Sequence, residues 1–297
     1  MTYSIVARDQ GTGQLGVAVQ SHYFGVGQVV SWARPGIGAV ATQSFVEPAY
    51  GPRLLDRLAA GEAAAAALTA LLAEDDTARH RQVAVIGAAG SPAVHTGAGC
   101  IAFAGDLARD SFSVQANMMA SDQVWSVMAA AYEGAAGLPL ARRLLAALDG
   151  GERAGGDVRG RQSAALIVVP AAGEPWQRDV ELRVEDHPEP LEELRRLLTL
   201  HDAYAKANEG DDLTGEGRHR EAGEAYRAAS ALAPDNQELL FWAALAEFSN
   251  GDREHGLRGL RHAIELHPAW LTLLSRLEPD IAPGAQQAYE ALREPRQ

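Results

Sequence analysis

The hydrophobic pattern changes character several times along the chain. Residues 2–9 and 14–21 are β-rich runs separated by Gln10-Gly11-Thr12-Gly13. Two such runs across a short glycine-containing loop predict a hairpin. The chain thus starts inside a strand, with no leader expected before it, although first residues commonly fray. A third apolar run covers Val26 to Trp32, Arg34-Pro35-Gly36 is a turn signal, and Ile37 to Gln43 is a fourth strand. Short turns between these four predict antiparallel pairing.

Helical spacing follows. Leu54, Leu55 and Leu58, then Leu68, Leu71 and Leu72, lie in an alanine-rich background that Gly61 divides into two helices. Strands return at Gln82 to Gly87, Ala93 to Thr96 and Phe112 to Ala116. Val124, Trp125, Val127, Met128 and Ala131 then mark a helix, with Ser121 as its expected N-cap. Leu138 to Leu148 is the next helix, and the glycine-rich residues 149–157 read as a loop. Arg161 to Val169 reads as a central strand, and Val180 to Val184 alternates like an edge or half-exposed strand.

Helices in pairs and strands in runs predict an α+β unit. Two antiparallel sheets packed face to face with helices outside satisfy the order. A doubly wound parallel sheet, which needs single alternation, ranks second. His187-Pro188-Glu189-Pro190 marks a boundary that the two prolines should stiffen. Two domains are expected, residues 1–186 and an all-helical 187–297.

The helical segment carries a period. Leu232-Ala233-Pro234 recurs as Leu266-His267-Pro268, 34 residues on, and Gly217 and Ala229 recur as Gly251 and Ala263. That spacing is the tetratricopeptide period; a plain helical bundle with a chance repeat is the alternative. So short an array needs other surfaces for stability, which suggests interaction or dimerisation.

Composition narrows the functions. The 297 residues are 47% hydrophobic and 22% charged, enough apolar content for two cores. The net charge of −13 disfavours nucleic acid as partner. Cys100 is the single cysteine, so no internal disulfide forms, and it reads as a small buried residue. No signal-peptide pattern and no apolar run near the ~20 residues of a membrane span occur, so a cytoplasmic location without membrane partners is expected. The nine histidines are scattered, with no metal spacing, and neither a metal nor a cofactor is expected. Asp75-Asp76 and Glu192-Glu193 read as solvated helix-end charges.

The chemistry centres on Thr2. Met1 is normally removed before a residue this small. The exposed α-amine, with a pKa of about 7.7–8.0, could then serve as base for the hydroxyl of the same residue. Many chains begin Met-Thr without such a role; the strand that starts at residue 2 distinguishes this one.

Thr2-Tyr3-Ser4-Ile5-Val6-Ala7-Arg8-Asp9 and Gly16-Val17-Ala18-Val19-Gln20-Ser21 resemble the domain of unknown function 1028 family. Ala39-Val40-Ala41-Thr42-Gln43, Tyr50-Gly51-Pro52, Val114-Gln115-Ala116-Asn117 and Gly155-Gly156-Asp157-Val158-Arg159-Gly160-Arg161-Gln162-Ser163-Ala164-Ala165 extend the resemblance over residues 2 to about 200. It implies membership of the N-terminal-nucleophile (Ntn) hydrolase superfamily, a four-layer αββα sandwich, and amide hydrolysis through the N-terminal residue. The C-terminal segment resembles an extra domain that some members carry, associated with peptidoglycan binding. A cytoplasmic chain would not meet that polymer.

Supporting residues have two readings each. Ser21 and His22 end the second strand, where His22 either titrates near substrate or is a surface histidine. Gln43 contacts substrate or serves a turn. Asn117 could donate to an oxyanion. Asp157, Arg159 and Arg161 either anchor a substrate carboxylate or stabilise a long turn. The expected function is therefore amide hydrolysis of a small molecule or short peptide, with a non-catalytic scaffold acting through the helical tail as the alternative.

Overall fold

A computed structural model describes residues 2–293. By internal contacts the chain divides into residues 1–195 and 196–297. In the first unit, β1 (Thr2–Arg8) and β2 (Leu15–Ser21) form the hairpin, in register from Thr2 opposite Ser21 to Arg8 opposite Leu15. Asp9 shapes the turn by accepting from the backbone N–H groups of Gly11 and Thr12, both at 2.9 Å.

The third apolar run does not extend the hairpin. Its first part is one helical turn, α1 (Gly27–Val30), and only Ser31–Arg34 forms β3. Gly27 permits this: a Cβ there would lie 2.5 Å from that of Ala165. The chain thereby crosses to a second sheet, where β3 pairs with β4 (Gly38–Ser44).

Next come α2 (Tyr50–Ala59) and α3 (Ala64–Ala73), parted at Gly61, whose φ of 90° suits glycine. Strands β5 (Arg81–Gly87), β6 (Ala93–Thr96), β7 (Gly105–Ala108) and β8 (Phe112–Asn117) follow. Helices α4 (Val124–Gly134) and α5 (Leu140–Arg153), then β9 (Ser163–Val169) and β10 (Val180–Val184), complete the layers. The sheets have the orders β10-β9-β2-β1-β8-β7 and β3-β4-β5-β6, and every recorded pairing within them is antiparallel.

The inner faces meet through Val6, Val17, Val19, Ala39, Ala41, Ala84, Ile86 and Ile167. Small residues on the four-stranded sheet accept the branched residues of the six-stranded one, as interdigitating sheets require. Leu54, Leu55, Leu68 and Leu71 of α2 and α3 cover the outer face of the four-stranded sheet against Val40, Val83 and Val85. The outer face of the other sheet meets α5, where a Cβ on Gly16 would lie 2.6 Å from Leu144 Cδ1.

Two expectations need correction here. Residues 149–153 continue α5 and are not a loop. Gly150 and Gly151 allow close approach: a Cβ on Gly150 would meet Ala131 Cβ at 2.7 Å, and one on Gly151 would meet the Tyr3 ring at 3.0 Å. Ser121 is not the cap of α4; Gln123 holds that position, and the Ser121 hydroxyl donates to the Ala154 carbonyl instead.

The second unit is wholly helical. Helix α6 (Pro190–Gly215) begins at a proline, which fits a first helical position, and the division between units falls within it. It is followed by α7 (His219–Leu232), α8 (Gln237–Ser249), α9 (Arg253–Leu266), α10 (Ala269–Leu274) and α11 (Ala285–Arg293). Phe241, Leu245, Phe248, Leu260 and Ala263 lie in one core, with Phe241 stacked on Trp270 at 4.9 Å. No helix among the described residues is long and apolar enough to cross a membrane.

Candidate functional site

Strand register builds the site. Thr2 lies opposite Ser21 on one side and Asn117 on the other, and Ser21 lies opposite Ser163. Residues directly opposed in antiparallel strands share a face. A row Ser163–Ser21–Thr2–Asn117 therefore crosses one end of the larger sheet. All four are buried, Thr2 at 3% exposure. The Thr2 hydroxyl donates to Ser21 Oγ at 3.1 Å.

The facing sheet supplies a second row. Gln43 lies opposite Gln82, and Gln82 opposite Thr96. Gln43 Nε2 donates to the Thr2 carbonyl at 3.2 Å and to Gln82 Oε1 at 2.7 Å. Asn117 Nδ2 donates to the same two acceptors, at 3.3 and 2.9 Å. Gln82 Nε2 turns the other way and donates to Thr96 Oγ1 at 2.9 Å and the Ala116 carbonyl at 2.9 Å. One step deeper, Gln115 Nε2 donates to Ser4 Oγ at 2.6 Å, and Ser4 Oγ donates to Gln43 Oε1 at 2.7 Å. Buried amides left unpaired are costly, so a closed network at this depth fixes one geometry.

Two residues beside the site adopt positive φ without being glycine: Ser44 (72°) and Met118 (57°). Each directly follows a side chain that holds the Thr2 carbonyl, Gln43 or Asn117. Such conformations disfavour L-residues and concentrate at functional sites.

The other predicted residues are placed nearby with different partners. Asp157 accepts from the His22 backbone N–H at 3.2 Å, and from Arg159 at its backbone N–H (2.9 Å) and guanidinium (2.8 Å). Its carboxylate is fully buried while Arg159 stays partly exposed. The pair thus stabilises the turn, and Arg159 is engaged within it. Arg161 donates to Glu152 at 2.6 Å and pairs with Glu189. His22 Nδ1 lies 3.2 Å from the Arg161 carbonyl, which fastens the ring to the same loop.

On the opposite face of β1, the Tyr3 hydroxyl lies 2.6 Å from Gln20 Oε1 and 2.7 Å from Glu152 Oε2. Burial, then the Glu152 carboxylate, push the Tyr3 phenol well above its ordinary range. It remains a neutral donor that locks the strand carrying Thr2.

Of the residues singled out in the sequence, the structure brings Thr2, Ser21, Gln43 and Asn117 together. The sequence reading did not single out Ser4, Gln82, Gln115 and Ser163 as site residues. The signal was present: Ser113, Gln115 and Asn117 recur at every second position of a strand, as Thr2 and Ser4 do, which sets them on one buried face. Among the described residues no group of His, Cys, Asp and Glu could hold a metal ion. Cys100 is half-buried, and its Sγ lies 3.4 Å from the Arg81 carbonyl.

A family model described as a family of unknown function, DUF1028, matches residues 2–194. A crystal structure of a Silicibacter pomeroyi protein described under the same family model is 30% identical, with a TM-score of 0.60, over 66% of this chain and 87% of that one. The Anbu (ancestral beta-subunit) protein of Yersinia bercovieri is 13% identical with a TM-score of 0.33, over 66% of this chain and 92% of that one. Among curated proteins none matches.

Proposed function

The chain belongs to the DUF1028 family, and from that premise we propose that its first unit is an amide hydrolase of the N-terminal-nucleophile type, with Thr2 as nucleophile once Met1 has been removed. The observation that carries this reading is the setting of Thr2. Its hydroxyl is hydrogen-bonded to Ser21, and its carbonyl is held by Gln43 and Asn117 from two sheets. A nucleophile held this rigidly loses little freedom on reaching the transition state. The order helix, sheet, sheet, helix supports an αββα sandwich of the Ntn type.

The chemistry needs no second residue as base. Thr2 Oγ1 attacks the substrate carbonyl carbon while the free α-amine takes the hydroxyl proton. The tetrahedral adduct collapses, the C–N bond breaks, and the amine leaving group receives that proton. Water then attacks the acyl–Thr2 ester with the α-amine again as base. The carboxylic acid leaves and Thr2 is restored. Ser21 orients the hydroxyl. Asn117 is a positioning residue in this reading, since its amide already bonds the Thr2 carbonyl and Gln82.

Intact mass and turnover test the proposal together. The mature chain should lack Met1, and Thr2→Ala should fold normally while losing at least ~10³-fold in amide turnover. A retained Met1, or unchanged turnover in Thr2→Ala, sinks it.

A second reading assigns the working surface to the helical unit. Helices α7 and α9 end at Leu232 and Leu266, the spacing of tetratricopeptide-like pairs. A cavity of about 440 Å³ there is lined in part by Asp211, Tyr226, Trp242 and Asp280. Full activity in a Trp242→Ala variant would separate this surface from the Thr2 chemistry.

A further inference from the structure

The strand ends that carry the Thr2 site lead into loops with exposed apolar side chains. Tyr23, Phe24, Phe45, Ile101, Phe103 and Val158 are between 47% and 64% exposed. Their places in the chain are not scattered. Tyr23 and Phe24 follow Ser21, and Phe45 follows Gln43 by two positions. The others lie on segments tied to the chain just beyond Asn117.

Backbone hydrogen bonds lace these loops into one lip. Met118 N–H donates to the Ile101 carbonyl at 2.8 Å, and Val158 N–H donates to the Met118 carbonyl at 3.3 Å. Met119 N–H donates to the Phe103 carbonyl at 3.0 Å. Met119 also bridges to Asp157, whose carboxylate accepts from the His22 N–H. Ser163 Oγ donates to the Tyr23 carbonyl. From the other sheet, Phe45 N–H donates to the His80 carbonyl at 3.2 Å, and the two rings lie 5.3 Å apart. The segments of Tyr23, Ile101, Phe103 and Val158 are thus joined through residues 118–119 and 157, and Phe45 stands beside His80 on the other sheet.

Charge at the lip is spent internally. Arg159 is bonded to Asp157, and Arg161 to Glu152 and Glu189. These two guanidinium groups are thus taken up by carboxylates, while the six apolar side chains stay exposed. Clustered exposed apolar groups of this kind mark binding surfaces.

Resting on Thr2 as nucleophile, we propose that the substrate is an N-acyl amide whose acyl group is bulky and apolar, aromatic or long-chain aliphatic, and lies on this lip. The acyl half is the part to bind. It stays attached through both attack and ester hydrolysis, so contacts to it act in both transition states, whereas the amine departs after the first.

The test compares acetyl, phenylacetyl and octanoyl p-nitroanilides. The larger acyl groups should be favoured in kcat/KM by about tenfold or more. A Phe24→Ser/Phe103→Ser double variant should bring that ratio toward one. Turnover without acyl preference overturns the proposal and leaves the Thr2 chemistry standing.

If none of the three anilides is turned over, the Thr2 reading fails separately. The lip is then judged by calorimetry of octanoate and phenylacetate binding to Thr2→Ala. Absent binding, or binding that the double variant leaves unchanged, overturns it. Sedimentation supplies a further outcome: a dimer that the double variant converts to monomer, with the acyl preference unaltered, makes the lip a subunit interface and also overturns the proposal.

Discussion

Gln82 carries no chemistry of its own, yet its side-chain oxygen accepts from both amides that hold the Thr2 carbonyl. Replacing it with leucine leaves the Gln43 and Asn117 amides short of an acceptor inside the fold. Gln82→Leu should therefore cost about 1–3 kcal/mol, read as a lowered midpoint in urea denaturation. The residues around it show what a sequence makes legible. Thr2 stood out because a second-position threonine would gain a free α-amine on loss of Met1, and Asn117 because it ends a strand. Gln82 opens an apolar strand, and its importance depends on β4 and β5 pairing so that it faces Gln43. No local spacing encodes that partner. The Arg159 and Arg161 guanidinium groups suggested an anion clamp equally with a turn; Asp157, Glu152 and Glu189 take them up.

Elements were legible where periodicity was strong and less so where packing decided. The hairpin and the paired helices follow from alternation and spacing; alternation in β10 fitted an edge or a half-exposed strand, and it lies at the sheet edge. The weakly apolar β7 (Gly105–Ala108) has no such pattern and forms by pairing with β8. Glycines misled in α5, where they serve close approach and not chain reversal.

Asp75, which reads as an ordinary solvated charge, instead ties α3 to β5. It accepts from Arg81 Nε at 2.8 Å, the Thr77 backbone N–H at 2.8 Å and the Tyr50 hydroxyl at 3.1 Å. The Arg81 hydrogen bond, aided by Thr77 and Tyr50, holds its carboxyl well below the usual range, against the opposing effect of burial. Burial, then the Asp75 charge, push the Tyr50 phenol up to about 12. A carboxyl whose pKa is lowered by folding stabilises fully above its unfolded pKa of about 4 and loses that contribution as pH falls toward its folded value. Asp75→Asn should thus be less stable than the parent at pH 7. The gap should shrink on acidification below about pH 4, followed by thermal melts across that range.

At the scale of the whole chain, the two units have separate cores. Phe241 is fully buried in the helical one, where it meets Trp242 and Trp270. Phe241→Ala should destabilise that unit by about 3–5 kcal/mol. Hydrogen exchange should show protection lost over α8 and α9 and kept over β1 and β2, since local stability follows local burial. Uniform loss along the chain would mean that the units unfold as one. The division into a layered unit and a helical one was legible from the change in hydrophobic period. Its position within α6 was not, because Pro190 starts a helix as readily as it stiffens a linker.

The grip on the Thr2 carbonyl has a consequence for how the polypeptide can be trimmed. The register with Ser21 and Asn117 and the amides of Gln43 and Asn117 anchor the second residue, the two amides at its carbonyl. Cleavage of the preceding peptide link would leave both bonds to the carbonyl in place. Maturation could then proceed without any refolding, and the newborn terminus would stay docked where free ends ordinarily wander.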